Sequence, residues 1–308
     1  MPEGKSAQRT FRGSHRTARG TFYLGKIEDG LNSPELRQHA GKVQLILTSP
    51  PFPLNHKKSY GNLTGAEYLR WLEDLAPAFS EMLTADGSIV IELGNAWERD
   101  RPVQSLLPME ALLAFVKSPK AGLRLCQQFV CYNPSRLPTP AQWVTVERIR
   151  AVDSFTHVWW MSKSDFPKAD NRRVLRPYSD DMKALLRRRT YNSGRRPSEH
   201  VIRQYSFLTN NGGSIAHNLF ELEPLDLDRT VRLPNVFSFG SSGTSKDFFS
   251  RACRERGVTP HPARMPMGLA AFFIELLSEP GDMVFDPFAG SNTTGYVAET
   301  SWTRLDIG

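Results

Sequence analysis

Residues 43–47, VQLIL, limit the possible folds of this chain more than any other stretch. A short apolar run of this kind reads as a strand covered on both faces, and such strands belong to parallel sheets sandwiched between helices. SIVIELG (88–94) repeats the pattern. Between them lies GAEYLRWLEDLAPAFSEML (65–83), where Tyr68, Leu69, Leu72, Leu75, Phe79 and Met82 recur at helical spacing. ADGS (85–88) reads as the turn that follows. PMEALLAFV (108–116) predicts a helix, LRLCQQFVCY (123–132) and VDSFTHVWWMSKS (152–164) predict strands, and TFYLG (21–25) predicts a short strand ahead of them. Helix and strand alternate from residue 43 to about 160, the signature of a wound α/β sheet.

The texture then changes. From 163 to 203 there are 12 Lys or Arg against 5 Asp or Glu, a local excess as large as the +7 of the whole 308-residue chain. Residues 204–250 are rich in Ser, Gly, Asn and Phe and show little periodicity. The α/β pattern resumes at GLAAFFIELLSEPGDMVFDPFAGSNTTG (268–295) as helix, turn, apolar strand and glycine-bearing loop. One α/β domain interrupted by a basic insert accounts for this order. A positive balance favours polyanionic partners. No apolar run reaches the roughly 20 residues that span a bilayer, and the first 20 residues hold no hydrophobic signal core. That opening reads as a mobile basic arm, and the chain as cytoplasmic. Cys126, Cys131 and Cys253 are an odd set without a paired CxxC, which favours free thiols over a disulfide framework or a zinc cluster.

Two loops carry chemistry. In TSPPF (48–52) each proline fixes φ and lacks an N–H, and residues before proline avoid the helical region. The loop is therefore stiff and extended. Ser49 Oγ and an outward carbonyl make a pair of acceptors for an amino group, and Phe52 offers a face on which a ring can stack. In VFDPFAGSNTTG (284–295) a strand ends in Asp286 and a small-residue loop follows. Open α/β sheets bind nucleotide-like ligands at the carboxyl ends of their strands. The loop has neither the lysine of GxxxxGK[ST] nor the spacing of GxGxxG. With an acid at the strand end, its ligand reads as a nucleoside carrying an amino acid. Both loops follow buried strands of one sheet, so both are expected at the same edge, flanking one cleft.

On these residues the chain resembles the amino-group DNA methyltransferases, in the permuted order that puts TSPPF early and FDPFAGSNTTG late. Similarity is greatest to the PvuII-type cytosine-N4 modification methyltransferases, and extends to KKSYGN (57–62), NPSRLPTPAQWV (133–144), VWWMSKSDFPK (158–168), LRPYSDDMK (175–183), NNGGSI (210–215) and HPARMP (261–266). The resemblance implies a mixed, mostly parallel Rossmann-like sheet with helices on both faces and an inserted target-recognition region. It divides the chain into the arm (1–20), a catalytic half (21–164), the insert (165–255) and a cofactor-binding half (256–308). It implies transfer of a methyl group from S-adenosylmethionine, without a metal, to the N4 amino group of a flipped cytosine in double-stranded DNA. A cognate restriction endonuclease and a monomeric state go with that reading.

By the same resemblance Ser49, Pro50, Pro51 and Phe52 form the catalytic loop, Glu92 either relays the departing proton or makes a cap or backbone hydrogen bond, and Tyr132 either covers the other face of the flipped base or packs in the core. Asp286, Pro287, Phe288, Ala289, Gly290 and Ser291 form the methionine-side cofactor loop, Asp306 binds the ribose hydroxyls, and His261 is structural. Arg187, Arg188, Arg189, Arg195 and Arg196, interleaved with Tyr191 and Tyr205, are expected as a group on DNA. Two features depart from the family. Relatives carry Gly-Asp after the first strand, where this chain has Gly25-Lys26 with Glu28 and Asp29 displaced. The sequence also ends two residues past Asp306, where relatives continue with a helix, which leaves open a truncated DNA-binding homologue with impaired catalysis. Adenine-N6 transfer is the other alternative; Ser rather than Asp before Pro-Pro favours cytosine.

Overall fold

A computed structural model describes residues 11–52, 63–133, 136–203, 205–221, 248–259 and 264–301. The chain opens with β1 (Arg12–Arg16) and β2 (Thr21–Leu24), an antiparallel pair that forms its own two-stranded sheet. The TFYL strand is as expected, but residues 12–16 correct the expectation of a mobile arm through residue 20. Local contacts order them. Thr17 Oγ1 accepts from the Gly20 amide at 3.0 Å, and Phe11 stacks on Tyr23 with centroids 5.1 Å apart.

Two short helices, α1 (Ile27–Leu31) and α2 (Pro34–Arg37), lead into β3 (Val43–Thr48), whose six residues are all buried. There follow α3 (Gly65–Met82), β4 (Leu83–Gly94), α4 (Leu107–Lys117), β5 (Arg124–Tyr132) and β6 (Phe155–Ser162). Each matches an element read from the sequence, with one difference: the ADGS turn lies inside β4. Leu83 pairs with Val43 and Ser88 with Leu45, so the turn residues survive as an irregularity opposite β3. Thr84 Oγ1 closes it by donating to Gln44 Oε1 at 2.9 Å. The remaining elements are α5 (Asp180–Arg188), β7 (Gly194–Arg195), β8 (Val201–Ile202), β9 (Leu219–Glu221), α6 (Phe248–Glu255), α7 (Met267–Leu277), β10 (Met283–Phe285) and α8 (Thr293–Ser301).

The main sheet has the order β10-β3-β4-β6-β5-β9. β6 is antiparallel to both of its neighbours, while the pairs β10–β3, β3–β4 and β5–β9 are parallel. Five strands therefore point one way, and their carboxyl ends share one edge. Helices cover both faces. On one, α3 and α4 bring Tyr68, Leu72, Leu75, Phe79, Ala111 and Phe115 against Ile89, Ile91 and Leu93 of β4 and Trp159 and Met161 of β6. Each fully buried leucine or phenylalanine there contributes roughly 1.5–3 kcal/mol. Lys163, just after β6, donates to the Ser80 and Leu83 carbonyls at 3.3 and 2.8 Å, which ties the end of β6 to the end of α3 and the start of β4. On the other face, Phe272 and Phe273 of α7 meet Phe129 edge-on at 6.0 and 5.1 Å. Phe129 pairs with Val158, one residue from Trp159 and so on the opposite side of the pleat.

Among the described residues, Asp170–His217 form a second compact unit. It holds α5 and the β7–β8 hairpin. Ser179 caps α5, its Oγ accepting from the Met182 amide at 3.2 Å, and Asp180 and Asp181 in the first turn with Arg187 and Arg188 in the last suit the helix dipole. The unit is narrower than the expected 165–255 insert, because β9 returns to the main sheet beside β5. No helix among the described residues is long and apolar enough to cross a membrane.

Candidate active site

β10 and β3 are adjacent and parallel, with Phe285 opposite Ile46. Thr48, which ends β3, and Asp286, which follows β10, are 238 positions apart in sequence and therefore emerge side by side. Thr48 Oγ1 donates to Asp286 Oδ1 at 2.6 Å, which ties the prolyl loop to the glycine-bearing loop directly. The Phe288 amide donates to the same oxygen at 3.1 Å, and Thr294 Oγ1 donates to Oδ2 at 2.7 Å. Although Asp286 as a residue is only half-buried, its carboxyl is enclosed by these donors. Desolvation pushes its pKa up, and the three hydrogen bonds oppose that rise. Gly290 sits at φ 51°, a left-handed conformation that favours glycine. It lets the loop turn back so that the Asn292 amide reaches the Ala289 carbonyl at 2.6 Å.

The two loops flank one cleft of about 2040 Å³, lined by Ser49, Pro50, Pro51 and Phe52 on one side and by residues 286–291 on the other. The juxtaposition read from the sequence is therefore present. Gly94, the last residue of β4, supports the prolyl loop from below: a Cβ there would lie 2.5 Å from Cδ2 and Cε2 of Phe52. Gly94→Ala is expected to displace the Phe52 ring and lower turnover about 10- to 100-fold with cofactor affinity retained, since a misplacement of about 1 Å costs rates of that order. Unchanged single-turnover rates would show that the ring position does not matter.

Polar groups gather between the loops. Glu92 is buried, and Thr156 Oγ1 donates to its Oε1 at 3.0 Å. Burial raises the Glu92 pKa from 4.5 to about 7, against the pull of the Thr156 bond and the charge of Arg136. The Cys131 thiol is pushed up to about 12, chiefly by burial, then by the Glu92 charge, which disfavours the thiolate. Cys131, Asn133, Arg136 and Thr156 all line the cleft. Tyr132, expected over the base, is not among the residues that line the cleft. Side chains alternate along β5, so when Cys131 and Asn133 face the cleft, Tyr132 faces away. Arg136 and Thr156 were missed by sequence reading. The only cue was the position of Arg136 within NPSRLP, directly after the strand that carries Cys131.

At the other end of the cleft Trp71 lies 5.5 Å from Phe288 and 5.5 Å from Tyr68, ring centroid to centroid. Its Nε1 donates to Glu28 Oε1 at 2.6 Å. Glu28 thus reaches the cleft, as does Lys26. Tyr68, read from the sequence only as a core position of a helix, is buried, lines the cleft, and has no partner for its Oη among the described residues.

The five arginines lie in the second unit. Arg187, Arg188, Arg189 and Arg195 are exposed, and half-buried Arg196 stands 6.0 Å over the Tyr191 ring. Asp306, His261 and KKSYGN lie outside the described residues. No group of three or more His, Cys, Asp or Glu among the described residues is placed to hold a metal ion.

Comparison with known proteins agrees with this geometry. A family model for DNA methylases matches residues 43–302, which include both loops. The Type II methyltransferase M.PvuII of Proteus hauseri is 38% identical over 289 residues, covering 93% of this chain and 78% of that protein. The solved PvuII DNA methyltransferase (cytosine-N4-specific) matches with a TM-score of 0.66 and 31% identity, over 92% of this chain and 79% of that one. The chain therefore belongs to the DNA methylase family.

Proposed function

We propose that the chain is a site-specific DNA methyltransferase that moves a methyl group from S-adenosylmethionine to N4 of cytosine in double-stranded DNA. The observation that carries this reading is the Thr48–Asp286 hydrogen bond, which holds the prolyl and glycine-bearing loops on two sides of one cleft. The printed names of the Type II relative and of the cytosine-N4-specific structure support the choice of base.

The residues fit the cofactor. S-adenosylmethionine supplies, when bound, an electrophilic methyl group on a sulfonium sulfur. Asp286 offers a carboxylate with acceptor capacity beyond its three bonds, which suits an ammonium group. Trp71 and Phe288 provide an aromatic wall for a purine. Tyr68 Oη is a buried polar atom without a partner among the described residues, the kind of group a ligand satisfies.

The target base must leave the duplex, because its amino group is unreachable while stacked and paired. Its nitrogen is a poor nucleophile while its lone pair is delocalised into the ring. Ser49 Oγ and the Pro50 carbonyl accept its two hydrogens, pulling the nitrogen toward tetrahedral geometry and localising the lone pair. Phe52 stacks on the ring. Glu92, with a pKa near neutrality, takes the proton that the nitrogen loses. Positioning and matched hydrogen bonds supply most of the rate enhancement. The arginines of α5 and the β7–β8 hairpin contact phosphates, which makes binding salt-dependent. The chain works as a monomer in the cytoplasm, beside an endonuclease that cuts the same site.

Sequencing that reports modified bases in DNA from an expressing host tests the reading. N4-methylcytosine at one short sequence is the expected result. N6-methyladenine without N4-methylcytosine would overturn the choice of base.

A further inference from the structure

Cytosine presents more than an amino group along its pairing edge. Beside N4 lie N3 and O2, both acceptors, and both lose water when the base enters a closed site. Buried acceptors without donors cost about 1–3 kcal/mol each, so a cleft that fits cytosine has to offer N–H or O–H groups there. Adenine differs at one point of this edge. Placed with its amino group in the same position, it offers N1 as an acceptor, but a C–H where cytosine has O2. A donor facing that point separates the two bases.

Among the polar residues lining the cleft, Thr156 already spends its hydrogen on Glu92, and Asn133 offers only a neutral amide. Arg136 is the strong donor: five N–H groups and no acceptor. It is fixed at both ends. Its amide donates to the Asn133 carbonyl at 3.2 Å, and its NH1 donates to the Phe155 carbonyl at 3.2 Å, at the start of β6 and next to Thr156. Its charge is close enough to Glu92 to favour the ionised form of that carboxyl. One carbonyl bond anchors the guanidinium and leaves further N–H groups for a ligand.

Resting on the cytosine-N4 reading above, we infer that Arg136 donates to O2 of the flipped cytosine and is thereby the residue that selects cytosine over adenine. The prolyl loop recognises an amino group, which both bases have; Arg136 recognises the carbonyl, which only cytosine has. Arg136 is specificity-determining, and takes no proton and forms no bond in the transfer.

The test is a two-by-two cycle of single-turnover rates on short duplexes carrying the site found in the host DNA. The chain is wild type or Arg136→Met. The target is cytosine or a 2-aminopyridine C-nucleoside, which keeps the amino group and ring nitrogen but has C–H in place of the carbonyl. The wild type is expected to be slower on the analogue on the order of 10- to 100-fold. Arg136→Met is expected to lose a similar factor on cytosine and nothing further on the analogue. S-adenosylmethionine affinity, read by calorimetry, should be unchanged in the variant, which a merely structural role for Arg136 does not predict. Arg136→Gln, which keeps a donor on a shorter stem, is measured in parallel in case the methionine variant does not fold; a smaller coupling of the same sign supports the assignment. Strict additivity of protein and base changes overturns it. A wild-type chain that modifies cytosine and the analogue equally well overturns this inference alone, whereas one that modifies no cytosine overturns the functional reading and this inference together.

Discussion

Ser49→Ala is expected to lower turnover by roughly 10²- to 10³-fold, the range seen when one preorganised hydrogen-bonding group aimed at a developing charge is removed. Affinity for S-adenosylmethionine should stay the same, because the proposed function assigns the cofactor to Asp286, Trp71, Phe288 and Tyr68 rather than to the serine. The fold should also be unaffected. Ser49 is only half-buried, and the prolyl loop is held by Thr48 on Asp286 and by the two prolines that follow. The loss should therefore appear in the rate of the bound complex, with little change in KM. Single-turnover kinetics with calorimetry of cofactor binding separate the two quantities. An unchanged rate would remove Ser49 from the chemistry and leave the Pro50 carbonyl as the sole acceptor from the loop.

The prolyl loop was legible in the sequence because a rigid loop after a doubly buried strand is a local pattern. VQLIL and TSPPF are contiguous, and proline stereochemistry acts within two residues. The partnership of the two loops was legible too, since both follow strands of one parallel sheet. The part that was not legible depends on register. Tyr132 and Asn133 are neighbours in sequence, and only the pleat of β5 against β6 decides which of them faces the cleft. Arg136 lies in a loop with no periodicity of its own, and its value comes from a carbonyl at Phe155, 19 residues away. Trp71 falls on a helix whose apolar stripe explains its neighbours without it, and the contact with Glu28 spans 43 residues. β1 was missed because its side chains are polar and exposed, so the only signal for it is the pairing with β2. The return of the chain to the main sheet at β9 was illegible for the same reason: β9 is three residues long, and nothing but the edge of β5 makes it a strand.

Glu92→Gln is expected to move stability and activity in opposite directions, and both effects follow from one shifted proton. The carboxyl has an ordinary pKa of 4.5 and a folded value of about 7. Between those values the unfolded chain has released the proton and the folded chain still holds it, so the folded state binds more protons and stability falls as pH rises. The cost is absent below about pH 4.5 and complete above about pH 7, where a shift of this size amounts to about 3 kcal/mol. Glutamine cannot ionise, and its Oε1 can still accept from Thr156. The variant should therefore match the wild type near pH 4 and exceed it by up to about 3 kcal/mol at pH 8, read from denaturant midpoints at the two values. Turnover runs the other way. If Glu92 accepts the amino proton, the wild-type rate rises about tenfold per pH unit below 7 and levels off above it, while the variant is slower by about 10²- to 10⁴-fold and shows no such limb. A wild-type profile flat through pH 7, or a variant that keeps the limb, would assign the proton to another acceptor. A variant that is slower without being more stable at pH 8 would mean that Glu92 is not desolvated as the structure shows.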